Sequence, residues 1–230
     1  MFGRLSVYKS SMTATGLARF VLVLGASLSW PASQAVTPGT ASPRCPSEFG
    51  AEPRTPAEHR RRAEWVPYQR QLPLYEARLP GKPDRQLVMP VSGVRVRQVR
   101  DTFARPRGGG RLHEGQDIFA PRNTPVYSAA AGFVWRISET PLGGKWVFTV
   151  GAGGRRYYYA HLERFAAGLR EGQRVTTSTL LGYVGTTGNA RDTPAHLHFE
   201  VNEGSQARCD YRAIDPLPLL VDRPPKPSDR

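Results

Sequence analysis

Apolar and polar residues change rhythm three times along this chain of 230 residues. Residues 20–30 form a mainly apolar run of 11, well short of the roughly 20 residues a helix needs to cross a bilayer. Residues 36–56 are rich in Pro, Ser, Thr and Ala, the texture of an extended linker. Thr55-Pro56-Ala57-Glu58 then has the Thr-x-x-Glu capping pattern with proline at the first helical position. It predicts a short helix that Pro67 ends about three turns later. From Leu87 the pattern becomes short β-branched and aromatic runs broken by Gly, Pro and Asn, at residues 91–99, 126–137, 146–150, 157–160 and 196–201. That alternation predicts a β domain, with residues 151–154 as a hairpin tip between two strands. The expected organisation is a Pro-rich linker and short helix over residues 36–86, a β domain over 87–221 and a disordered tail over 222–230. No repeat of fixed period is present, although residues 124–134 and 175–184 share a strand-turn-strand cadence.

Charge around the first apolar run adds a destination. Arg4, Lys9 and Arg19 precede it, and Ser33-Gln34-Ala35 follows as a small-residue cleavage site, so residues 1–35 read as a secretory signal. A start at Met12 would give that signal a more usual length. In an oxidising compartment the two cysteines are expected to pair as a Cys45–Cys209 bridge. Ser42-Pro43-Arg44 is the wrong context for lipid attachment at Cys45, and no membrane span is expected once the signal is removed. The formal charge of +13 falls to +10 when the three basic residues of the signal are discounted. Outside the cytoplasm such a field favours wall polymers, lipopolysaccharide and lipid headgroups. No aromatic-basic nucleic-acid module is present, so nucleic acid is not an expected partner.

The candidate chemistry lies in four clusters: His113-Glu114-Gly115-Gln116-Asp117, the Tyr157-Tyr158-Tyr159-Ala160-His161-Leu162 run, residues 185–190, and His196-Leu197-His198-Phe199-Glu200. They hold four of the chain's five histidines. The fifth, His59, sits beside Arg60, Arg61 and Arg62 and reads as part of a solvated helix face. Alternate residues of a strand point the same way, so His196 and His198 share a pocket while Leu197 and Phe199 face a core. An extended first cluster puts His113, Gly115 and Asp117 on one face, the glycine leaving room between two ligands. A catalytic zinc takes three such protein ligands and keeps an open position. His113, Asp117 and one histidine of the 196/198 pair meet that requirement. By the same alternation Tyr157 and Tyr159 share a face with His161, with aromatic packing as their default role. Gly185, Gly188 and Asn189 read as a turn that presents the last cluster. Glu200 is spaced to orient a histidine.

In this order the clusters resemble the lysostaphin-type zinc metallopeptidases, the LytM-domain family of peptidoglycan endopeptidases. The resemblance runs from Leu87-Val88-Met89-Pro90 through the four clusters to Ile214-Asp215-Pro216-Leu217. It implies an all-β, antiparallel fold of the duplicated-hybrid-motif type with a groove between loops, preceded by a short helical or irregular arm. It implies Zn2+ held by His113, Asp117 and His198, with His161 and His196 acting on the water and the oxyanion, their two roles unassigned. It implies cleavage of peptidoglycan peptide cross-links, probable substrate bonds being of the D-amino-acid type, in the periplasm or outside the cell. The competing reading is a LytM-like module that hydrolyses nothing and activates another wall hydrolase. A third reading, which the composition of residues 36–83 permits, is an inhibitory or partner-binding arm over the groove. The departure from the family is at Phe103-Ala104-Arg105-Pro106, where a Phe-Gly-x-Arg pattern is common. It leaves the metal chemistry intact and puts the groove's arginine in question.

Overall fold

The computed structural model describes residues 56–204 and 211–224. The signal, most of the linker, and both Cys45 and Cys209 lie outside the described residues.

One helix, α1 (Pro56–Glu76), precedes the strands and is 21 residues long. It does not stop at Pro67, as the breaker rule predicts, but contains both Pro67 and Pro73. Each proline removes one i→i−4 hydrogen bond. Tertiary contacts offset the loss: Tyr68, Leu72, Tyr75 and Leu79, on α1 and the turn after it, pack on Phe133, Trp135, Trp146 and Phe148 of the sheet. Tyr75 stacks on Phe133 with ring centroids 5.3 Å apart. The Trp135 indole donates to the Tyr68 carbonyl at 2.9 Å. Burial of such side chains is worth on the order of 1.5–3 kcal/mol each, comparable with the roughly 3 kcal/mol of an interior proline.

The strands are β1 (Leu87–Val88), β2 (Gln116–Phe119), β3 (Pro125–Tyr127), β4 (Gly132–Thr140), β5 (Gly144–Gly151), β6 (Arg156–Phe165), β7 (Arg174–Val175), β8 (Leu180–Val184), β9 (His196–Glu203), β10 (Arg212–Ile214) and β11 (Leu220–Val221). Nine of them form one antiparallel sheet whose main path is β10-β9-β6-β5-β4-β7. The strand β2 pairs with β9, and β8 links β3 to β6. The hairpin between β5 and β6 turns through residues 152–154, as the glycines predict. The antiparallel fold expected from the sequence is present, and beside it β1 and β11 pair in parallel as a separate two-stranded sheet that joins the two ends of the domain. The packed unit also extends past Val221. Asp222 Oδ1 accepts from Val96 N at 2.7 Å, and Arg223 donates to the carbonyls of Met89 and Thr177.

Period-two alternation divides the sheet into two faces. Val134, Val147, Tyr157, Tyr159, Leu197, Phe199 and Val201 point into the main core, where they meet Leu87, Met89, Val126, Leu181, Val184 and Leu220. The opposite face carries Phe133, Trp135, Trp146, Phe148 and Ala160 under α1 and its following turn. On the neighbouring strand the same face carries His196 and His198. The helix therefore covers one end of the face that holds the histidines.

Candidate metal centre

Strand pairing makes the first contact of the site. Asp117 on β2 lies opposite His198 on β9, with Phe119 opposite His196. His113 precedes β2 rather than belonging to it, so the first cluster is only half extended. Gly115 is required where the chain crosses toward β9. A Cβ there would stand 2.6 Å from the Phe199 carbonyl oxygen and 2.9 Å from Glu200 Cγ, separations that real side chains essentially never show. The glycine therefore serves the close approach of β9 rather than leaving room between two ligands on one extended face.

Gln116 and Thr102 hold this segment in place. Gln116 is fully buried and points away from Asp117, as adjacent strand residues must. Its side-chain oxygen accepts from Thr102 N at 2.8 Å, and its amide donates to Asp101 and Asp215 at 2.9 Å. Thr102 Oγ1 then accepts from Asp117 N at 2.9 Å, and Thr102 O accepts from His113 Nδ1 at 2.7 Å. Composition and motif spacing gave Gln116 and Thr102 no part, since only the folded contacts reveal these anchors.

His161 reaches the same space through a backbone irregularity. Leu162 pairs with Lys145 and Tyr159 with Val147, so β6 carries one more residue than β5 across this interval. His161 occupies the bulge with φ +60°, a left-handed conformation that costs a non-glycine residue on the order of 1–3 kcal/mol. The bulge reverses the alternation. Tyr157 and Tyr159 go to the core, as packing predicts, while Tyr158, Ala160 and His161 line the groove. Tyr158 is thus the tyrosine at the site. The apolar parity of Leu162 against Tyr157 and Tyr159 is the sequence signal that marks the shift.

Each imidazole has one nitrogen fixed by an acceptor. His113 Nδ1 donates to Thr102 O, His161 Nδ1 to Thr187 O at 2.9 Å and His196 Nδ1 to Pro194 O at 2.8 Å. His198 is turned the other way, its Nε2 donating to Glu200 Oε1 at 2.8 Å, the orienting contact expected of Glu200. The remaining nitrogens of His113 and His198 therefore carry lone pairs toward Asp117. His113 Nε2 and His198 Nδ1 are 2.8 Å apart, and each is 3.1 Å from Asp117 Oδ1. Three such atoms so close together can hold a cation among them, and two imidazoles with one carboxylate suit zinc. No second nitrogen of the pair is needed, since His196 Nε2 stands farther from Asp117 Oδ1, at 3.7 Å.

Electrostatics follow the same division. Burial opposes ionisation of Asp117, but protons shared with His113 and His198, whose place a bound cation would take, outweigh it and hold the carboxyl far below its ordinary range. Burial also opposes charge on His198, yet Asp117 and Glu200 raise it to about 9. His161 is pulled down to about 4 by burial and then by repulsion from His198 and His196. Burial lowers His196 as well, with the Pro194 bond acting in the other direction.

The groove has a volume of about 400 Å³. His113, Asp117, Tyr158, His161, His196 and His198 line it, with Arg107 and Arg111 on one wall and the exposed apolar Leu112, Phe119 and Leu142 at its edges. Thr193 lines it too and also closes its own turn on Ala190 O at 2.8 Å. No residue of α1 lines the groove, so the described part of the N-terminal arm does not cover it. The turn of Gly188 and Asn189 is present next to β5. A Cβ at Gly188 would lie 2.2 Å from Gly144 N, and its φ is +71°.

Residues 111–216 match the family model described as peptidase family M23. An L-Ala--D-Glu endopeptidase of Bacillus subtilis strain 168 is 35% identical over 122 residues, which are 51% of this chain and 37% of that protein. The peptidoglycan DD-endopeptidase ShyC of Vibrio cholerae serotype O1 is 33% identical over 90 residues, 39% of this chain and 20% of that protein. The crystal structure of a zinc containing peptidase from Vibrio cholerae is similar with 29% identity and a TM-score of 0.46, covering 58% of this chain and 39% of that one. The chain spans well under half the length of these relatives.

Proposed function

We propose that this chain is a zinc metalloendopeptidase that hydrolyses peptide cross-links of peptidoglycan, a reading supported by the match of residues 111–216 to peptidase family M23. One observation carries the reading: His113, Asp117 and His198 bring their ligand atoms within 4.8 Å of one another. Hydrogen bonds to Thr102 and Glu200 turn the correct nitrogens inward. A cross-link of the DD type is the substrate, in line with the bond named for ShyC. The site of action is the cell envelope, periplasmic or outside the cell, supported by the export pattern of residues 1–35. No described helix is long and apolar enough to cross a membrane.

His113 Nε2, Asp117 Oδ1 and His198 Nδ1 would hold the ion. When bound, zinc supplies a Lewis acid for the scissile carbonyl and lowers the pKa of a water to about 7. His161 and His196 do the proton work. Both have lowered basicity and are neutral at neutral pH, and their anchored Nδ1 atoms leave Nε2 as acceptor. One Nε2 accepts the water's proton and returns it to the leaving amine. The other would donate to the developing oxyanion after taking a proton from solvent at Nε2, and return that proton to solvent as the carbonyl re-forms, a contribution on the order of 3 kcal/mol. The apolar edges at Leu112, Phe119 and Leu142 give an extended peptide a surface on either side of the reacting bond. A purely binding module has no use for five site residues so arranged, and that reading is the weaker one.

Isolated peptidoglycan incubated with the purified chain tests the proposal. Soluble fragments should appear, stop with a zinc chelator and return with added zinc. Fragment release that continues in chelator contradicts it.

A further inference from the structure

The oxygens of Asp117 face different partners. Oδ1 lies among His113, His196 and His198. Oδ2 receives Nη2 of Arg107 at 2.5 Å. Asp117 is buried, and Arg107 enters from the groove wall with its side chain 44% exposed. We infer that Arg107 is a positioning residue: by taking Oδ2 it leaves Oδ1 alone to bind the metal and fixes the plane of the carboxylate. The inference rests on the metal reading given above and extends it to a residue outside the ligand set.

The segment that carries Arg107 is built for this task. Residues 104–113 fold back as a narrow ribbon in which Pro106 bridges Leu112, and Arg107 N donates to Arg111 O at 2.8 Å. The base of the ribbon is tied by Ala104 N to His113 O at 2.8 Å and His113 N to Arg105 O at 2.9 Å. One ribbon thus delivers Arg107 to Asp117 and fixes the backbone of His113. Gly108 and Gly110 at its tip have no atoms within 4 Å of a would-be Cβ. Ala104 takes φ +55°, the conformation that glycine adopts freely, at the point where the sequence departs from its relatives. Pro106 cannot supply a guanidinium, and Arg107 does.

A guanidinium suits the position better than an ammonium. It is always charged, and its planar fork holds a carboxylate plane where a lysine contributes one point charge. Without it, Oδ2 is free to swing toward the ion, and the ligand loses its fixed orientation.

The test is zinc affinity, measured by competition with a chromophoric chelator for the full chain and for Arg107→Ala and Arg107→Lys. Loss of an outer contact of this type weakens metal binding about 10- to 100-fold. Arg107→Ala should fall in that range, with Arg107→Lys between it and the parent, and the visible spectrum of the cobalt-loaded protein should shift in Arg107→Ala. Thermal unfolding of the metal-free proteins serves as a folding control and should change little. Affinity within about twofold of the parent in a folded Arg107→Ala protein overturns the inference. A raised KM with unchanged affinity also overturns it and makes Arg107 a substrate contact. A parent chain that takes up no zinc removes the metal reading itself, and this inference with it.

Discussion

At the scale of single residues the site separates two sorts of histidine. His113 and His198 bring lone pairs to Asp117 Oδ1, whereas His161 is held by Thr187 O in a strained bulge and His196 stands 3.7 Å from the carboxylate. His113→Ala and Asp117→Ala should therefore lose zinc and turnover together. His161→Ala and His196→Ala should keep zinc and lose turnover by about 10²- to 10⁴-fold, as metal analysis beside kcat measurement would show. The lowered basicity of His161 has a second consequence. Its folded-state value of about 4 lies below the unfolded value of about 6.5, so the unfolded chain binds the proton first. Its contribution is present above about pH 6.5 and is lost as pH falls toward about 4, with a size on the order of 3 kcal/mol. Chemical denaturation of the metal-free protein should show that decline, and His161→Gln should flatten it. The ligand types were legible in the sequence because His-x-x-x-Asp and His-x-His have few other uses together. Arg107, Thr102, Gln116 and Tyr158 were not, because an arginine, a threonine or a glutamine acquires its role only from the atoms folded against it.

Among the elements, strand parity explains both the successes and the errors of reading. Alternation on β9 is regular, so His196 and His198 against Leu197 and Phe199 followed directly from the sequence. Alternation on β6 breaks at His161, and a face assigned by counting places the wrong tyrosines at the groove. The length of α1 failed for a related reason. Proline penalties are local, while the packing of Tyr68, Leu72, Tyr75 and Leu79 on the sheet is set by residues about 60–80 positions away and invisible to a window. The link between elements that bears most on the metal ligands is the approach of Gly115 to β9. Gly115→Ala places a methyl 2.6 Å from the Phe199 oxygen, which forces β2 away from its partner. It should destabilise the fold by about 1–3 kcal/mol and weaken zinc uptake with it, since Asp117 and His198 are paired across that contact. Equilibrium unfolding and metal titration of the same protein would check both effects.

For the whole molecule, the pairing of β1 with β11 and the docking of Arg223 close a sheet on which one face is core and the other is shared by α1 and the groove. The face that carries the groove is thereby bounded at one end by a helix lying outside residues 111–216, the stretch that matches peptidase family M23. The net charge of +13 favours anionic polymers, which agrees with the proposed action on a cell wall. The most direct test of the central claim is a mass map of cross-linked peptidoglycan fragments before and after incubation with the zinc-loaded chain. The account predicts loss of cross-linked dimers and gain of monomers, each cut adding one water across a peptide bond, in the parent chain and not in His113→Ala. An unchanged map from a chain that has been shown to hold zinc would contradict it.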